Sequence, residues 1–255
     1  MRKSNYLTPT GQDHEHWIAT SMNAKVILQA LSENTTILVK AEPGGQWFVP
    51  KKLLHLQSRM LARSTQLEWE MPKAFGRPAV ELFLQWLLTG DYQEYDMLVP
   101  LLSYTNYQDY NKTLVPYVES SEGQSMSYFV KAGMLAWKLG EYLEAPRFQN
   151  HAMIRLFHAL SCTDNDWWIN ADMCKMAMHN SAGNSARNTL GELFEDILMR
   201  NWGDKTIIER DDSEKWRQML SEGELFKRFV GATMMPLEDR QLVPLKLIDY
   251  MVKEN

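Results

Sequence analysis

Residues 35–50, TTILVKAEPGGQWFVP, constrain the fold more than any other stretch. The β-branched run TTILVKA (35–41) reads as a strand, EPGG (42–45) as turn chemistry and QWFV (46–49) as the returning strand, which predicts a β-hairpin. Pro50 stops the second strand, and Leu53, Leu54, Gln57 and Leu61 take up helical spacing at once. Proline is tolerated at the first helical position because its missing N–H would have no partner there. Lys51 and Lys52 sit at this joint and read as a solvated helix start rather than a ligand site.

The flanks extend the pattern. Ala24, Ile27, Leu28 and Leu31 form one stripe of an amphipathic helix, broken by Ser32, Glu33 and Asn34. A second short helix is predicted at about 58–63. QLEWEM (66–71) alternates, with Leu67, Trp69 and Met71 on one face of a half-buried strand. GRPAVELFLQWLLTG (76–90) is a helix with Pro78 at its start and Gly90 just past its end. Its stripe is Val80, Phe83, Leu84, Leu87 and Leu88, and Leu82 and Trp86 carry the apolar surface round the back, as in a helix buried mid-domain. Two more helices are predicted over 127–143 and 144–161. After Cys162 the chain reads as helical throughout, TLGELFEDILMRNW having the clearest period. The expected fold class is α+β, a small sheet with helices packed on it, followed by an all-helical C-terminal extension. The expected organisation is a polar tail (1–20), a domain (21–162) interrupted by an insertion at about 91–126, and the extension (163–255).

Composition excludes several function classes. The 27 basic and 32 acidic residues give a net charge of −5, and no stretch gathers Lys and Arg, so direct binding to nucleic acid is not expected. No apolar run approaches membrane-spanning length, and no membrane association is expected. Cys162 and Cys174 form no CxxC, which suits a reducing compartment, and a cytoplasmic or nuclear location is expected. The sequons at Asn34 and Asn111 are then chance matches.

Few residues group in a way that suits catalysis or metal binding. His14 and His16 lie in the polar tail with no third ligand at useful spacing. His151 and His158 share a helix face, and His179 with Asp164, Asp166 and Asp172 could sketch a hydrolytic cluster, although these acids also read as helix caps around TDNDWW. The chain has no G-x-S-x-G, P-loop or G-x-G-x-x-G. No catalytic residue, cofactor or metal is expected, and a hydrolase using the His and Asp residues of 151–179 is the competing reading. The insertion holds six tyrosines, of which Tyr104, Tyr107 and Tyr110 are candidates for partner recognition, since tyrosine gives large contact area at low entropy cost.

Three stretches in order resemble one family. WFVPKKLLHLQSRML is similar to the F-x-V-H-K-x-L-L…S…F of BTB/POZ domains, with Phe48, Val49, Lys51, Leu53, Leu54 and Ser58 on matching positions. AVELFLQWLLTGDY resembles the family's F-L-x-W-L-Y-T-G helix, and AWKLGEYLEAPRFQNHAMIRL its A-D-K-L-G-v-x-x-L-Q-N-x-A-M. The resemblance covers about 24–161 and is to the BTB-only proteins common in fungi. The chain departs from the pattern at Pro50, where histidine is usual, around Asn34 and Thr35, where aspartate is usual, and in its long insertion. The resemblance implies a protein–protein interaction module, a homodimer as default, acting as scaffold or adaptor. Ile27, Leu28 and Leu31, with Ile37 and Val39 of the neighbouring strand, occupy the place where BTB domains commonly pair. A cullin ubiquitin-ligase adaptor role is possible within this family but disfavoured here, because the family's hydrophobic-x-Glu segment corresponds to ARSTQ (62–66), which has no glutamate.

Overall fold

The hairpin forms where the β-branched run predicts it. A computed structural model describes residues 24–33, 35–73, 75–92, 128–161, 169–179, 187–210, 213–221 and 223–254. In it β1 (Thr36–Ala41) pairs antiparallel with β2 (Gly45–Pro50), from Thr36 opposite Pro50 to Ala41 opposite Gly45. The turn carries a cis Glu42–Pro43 peptide. Side chains alternate across the strand: Ile37, Val39 and Ala41 point into the core, while Thr36, Leu38 and Lys40 face out. β3 (Glu68–Glu70) joins the far side of β1 in parallel, giving the order β2-β1-β3 with Leu38 opposite Glu68. The expectation that Leu67, Trp69 and Met71 share an inward face needs correction. Met71 is buried and Trp69 half-buried, but Leu67 is exposed. The ladder starts only at Glu68, so Leu67 lends its carbonyl to the Leu38 N–H at 2.8 Å while its side chain stays outside the core.

Helix α1 (Ala24–Leu31) precedes the sheet, and α2 (Lys51–Gln57) follows β2 without a linker. Pro50 stands one place earlier than predicted, as the residue before the helix, with φ −54°. It ends an edge strand, where a missing N–H disturbs no ladder. Ser58 caps the one-turn helix α3 (Arg59–Ala62). Helix α4 (Gly76–Thr89) is buried from Pro78 to Leu84, and it ends where Gly90 adopts φ 83° and its N–H reaches the Trp86 carbonyl at 2.8 Å. Leu88, assigned to the buried stripe by spacing, is exposed in the last turn. Helices α5 (Tyr128–Tyr142) and α6 (Pro146–Ser161) pack as an antiparallel pair. Their backbones meet at Gly133, where an added Cβ would lie 2.9 Å from the Leu156 Cβ and 3.2 Å from its Cα.

The extension comprises α7 (Ala171–Met178), α8 (Thr189–Asn201), α9 (Ser213–Met219), α10 (Gly223–Thr233), α11 (Leu237–Leu242) and a 3-10 turn (Leu247–Tyr250). Asn170 and Asn188 cap α7 and α8, each side chain accepting a backbone N–H at 2.9 Å. Helix α8 is the hub, packed against α7, α10, α11 and the 3-10 turn. Its C-terminal end is joined to that of α11 by two arginines. Arg240 donates to the carbonyls of Met199 and Trp202, and Arg200 donates to those of Gln241 and Val243. Each guanidinium thus satisfies carbonyls that the other helix end leaves open. The described residues therefore hold eleven α-helices and one three-stranded sheet, an α+β fold. Buried apolar residues form one connected cluster from Ala30 to Tyr250, so the extension shares the core of the sheet-containing part. Among the described residues no helix is long and apolar enough to cross a membrane.

Candidate interaction surface

Helix α1 has one apolar arc, and the core covers only part of it. Ala30 is buried and Ile27 half-buried against the core. Leu28 and Leu31, further round the same apolar arc, are 67% and 51% exposed. Three residues apart, they are neighbours on the helix surface. The helix end is fixed by the Ser32 hydroxyl, which donates to the Gln29 carbonyl at 2.7 Å, and by an ion pair between Glu33 and Lys52 on α2. Lys52 is thus tied to α1 at the joint where a solvated helix start was expected.

The five residues predicted to mediate pairing therefore separate. Leu28 and Leu31 are available to a partner, and Ile27 is partly so. Ile37 and Val39 are corrected to core positions, because the strand alternation turns both inward. The residue that spacing could have singled out instead is Phe48. Between half-buried Trp47 and buried Val49, it falls on the outer parity of β2 and is 74% exposed. It stands opposite half-buried Leu38 on the outer face of the sheet, near the Lys40–Glu68 ion pair. Tyr104, Tyr107 and Tyr110 lie outside the described residues, as do His14, His16, Cys162, Asp164, Asp166, Trp167 and Trp168.

Among the described residues, His151 and Asp172 have side-chain partners. His151 Nε2 lies 3.0 Å from Asp91 Oδ1, and its ring packs edge-on against Tyr92. Asp172 pairs with Lys215 at 2.8 Å. His179 is exposed at the end of α7, where its N–H donates to the Lys175 carbonyl at 3.1 Å. Among the described residues no group of three or more His, Cys, Asp and Glu could hold a metal ion. Ser58 is buried; its hydroxyl donates to the Leu143 carbonyl at 2.6 Å and accepts the Leu61 N–H at 3.1 Å. Cys174 is buried as well, and burial first, then the Glu195 carboxylate, pushes its thiol up, which keeps it protonated and unreactive. Lys138, also buried, donates to the His179 carbonyl and ties α5 to the end of α7. Burial lowers its pKa, and Glu141, 3.5 Å away, works in the opposite direction.

No family model, curated protein or solved structure matches the chain.

Proposed function

We propose that this chain is a non-enzymatic protein–protein interaction module of the BTB/POZ kind, which pairs with a second copy through α1 and acts as a scaffold or adaptor. The observation that carries the reading is the outward face of α1. Ile27 and Ala30 already attach the helix to its own core, leaving Leu28 and Leu31 in solvent. Two copies related by a two-fold axis would lay these leucines against each other, since an isologous interface uses the same patch twice. Fully burying one leucine is worth about 1.5–3 kcal/mol, so even half-burial of four supplies a useful part of a micromolar affinity. The element order supports the family resemblance: helix, hairpin, two short helices, a third strand, a long buried helix and a helix pair. The segment 62–66 does not favour a cullin partner, since its charged residue is Arg63, engaged with Glu144 at 3.0 Å. The double change Leu28→Glu, Leu31→Glu should convert a wild-type dimer into a folded monomer by sedimentation velocity. A wild type that is monomeric at about 50 µM, where micromolar affinity would show, overturns the reading.

A further inference from the structure

Residues 247–254 lie on the rest of the chain as a peptide lies in a groove. Leu247 and Tyr250 are buried, and their 3-10 turn packs against both α6 and α8. The Tyr250 hydroxyl donates to Asp196 of α8 at 2.8 Å, and its ring lies 6.4 Å from that of Phe157 on α6. Asn150 of α6 then holds the extended chain by its main chain. Its Oδ1 accepts the Val252 N–H at 2.7 Å, and its Nδ2 donates to the Val252 carbonyl at 2.9 Å and to Glu254 Oε1 at 3.2 Å. Arg147, one turn earlier, meets Glu254 at 3.1 Å. An amide that takes both backbone groups of one residue recognises extended chain whatever its side chain, while Leu247, Tyr250 and Glu254 supply the selectivity.

We propose that this segment exchanges between two copies, residues 247–254 of one filling the α6–α8 groove of the other. Every second copy carries a segment that fits the groove as well as the chain's own. The hinge is short and defined. Arg200 holds the Val243 carbonyl, and Leu247 is anchored in the core. Only Pro244, Leu245 and Lys246 need change path, and of these only Leu245 is partly buried. Extended, three residues span about 10 Å. Beside the hinge Leu242 and Val243 are 77% and 69% exposed, and two hinges crossing at a two-fold axis would cover them. This surface is distinct from α1 and does not depend on pairing there.

A charge exchange between two full-length chains tests the proposal, with Leu28→Glu and Leu31→Glu in both so that α1 contributes nothing. One chain carries Arg147→Glu and the other Glu254→Arg. Alone, each sets like charges together in its own groove; exchanged, each segment meets an opposite charge. Refolded together from urea and weighed by native mass spectrometry, they should give a heterodimer in roughly tenfold or greater excess over either homodimer, a ratio two reversed pairs can supply. A statistical mixture of dimers, or monomers alone from folded chains, overturns the proposal. A second arm needs no charge reversal. The α1 double variant refolded at about 100 µM should trap a dimer that it does not form at about 1 µM, and Pro244→Gly, which lets the segment fold back, should lower that dimer fraction at least threefold. A monomer at both concentrations contradicts the exchange.

Discussion

Ser58→Ala is expected to lower the free energy of unfolding by about 2–3 kcal/mol. The hydroxyl has two partners in a site closed to water: it accepts the Leu61 N–H as the cap of α3 and donates to the Leu143 carbonyl just beyond α5. Removing a capping hydroxyl costs typically about 1 kcal/mol. Leaving a buried acceptor short of a donor costs about 1–3 kcal/mol. The Leu143 carbonyl keeps a long contact to the Met60 N–H at 3.4 Å, which holds the second contribution below the upper end of its range. In a chain of this size the sum corresponds to a fall of roughly 5–10 °C in Tm. Urea unfolding followed by far-ultraviolet circular dichroism should show the midpoint falling with the slope unchanged, because the surface exposed on unfolding is the same. A change below about 0.5 kcal/mol would refute the reasoning, since it would mean another donor takes over the Leu143 carbonyl.

Gly133→Ala should destabilise by about 1–3 kcal/mol in thermal unfolding, because the atoms it meets are the Cβ and Cα of Leu156, which cannot rotate away; an unchanged Tm would refute the close approach of α5 and α6. Burial first, then the Asp196 hydrogen bond, raises the Tyr250 pKa above its usual 10, so its contribution is complete below pH 10 and is lost as pH rises above 10, where the unfolded state ionises first. The stability advantage of wild type over Tyr250→Phe should therefore hold up to about pH 10 and shrink above it, and a difference that stays constant to about pH 11.5 would contradict the burial. In a Cys162→Ser chain, Cys174 should resist Ellman's reagent in buffer and react fully in urea.

The elements legible in the sequence are those set by local chemistry. The EPGG turn, Pro50 and Gly90 punctuate the chain through backbone preferences that need no distant partner. Which side of an element faces the core is a tertiary matter, and there sequence and structure part. On α1 the apolar arc is wider than the buried arc, so spacing groups half-buried Ile27 with exposed Leu28 and Leu31 and leaves out Ala30, which is the fully buried one. On β1 the apolar parity is Ile37, Val39 and Ala41, and apolarity alone does not say whether a partner or the chain's own core covers Ile37 and Val39; here the core does. Alternation places Leu67 on a ladder that in the structure starts one residue later. The polar contacts that organise the C-terminal half were invisible for another reason. Asn150 and Val252 are 102 positions apart, and Arg200 and Val243 are 43 apart. Nothing in the neighbourhood of either polar residue marks it as a clamp.

Amide hydrogen exchange of the wild-type chain at two concentrations, about 1 µM and about 100 µM, tests pairing through α1 most directly. The account predicts that exchange across Ala24–Leu31 slows at the higher concentration, while the amides of α5, already within the chain's own core, do not change. Exchange in α1 that is the same at both concentrations, in a sample whose mass shows association, would contradict it.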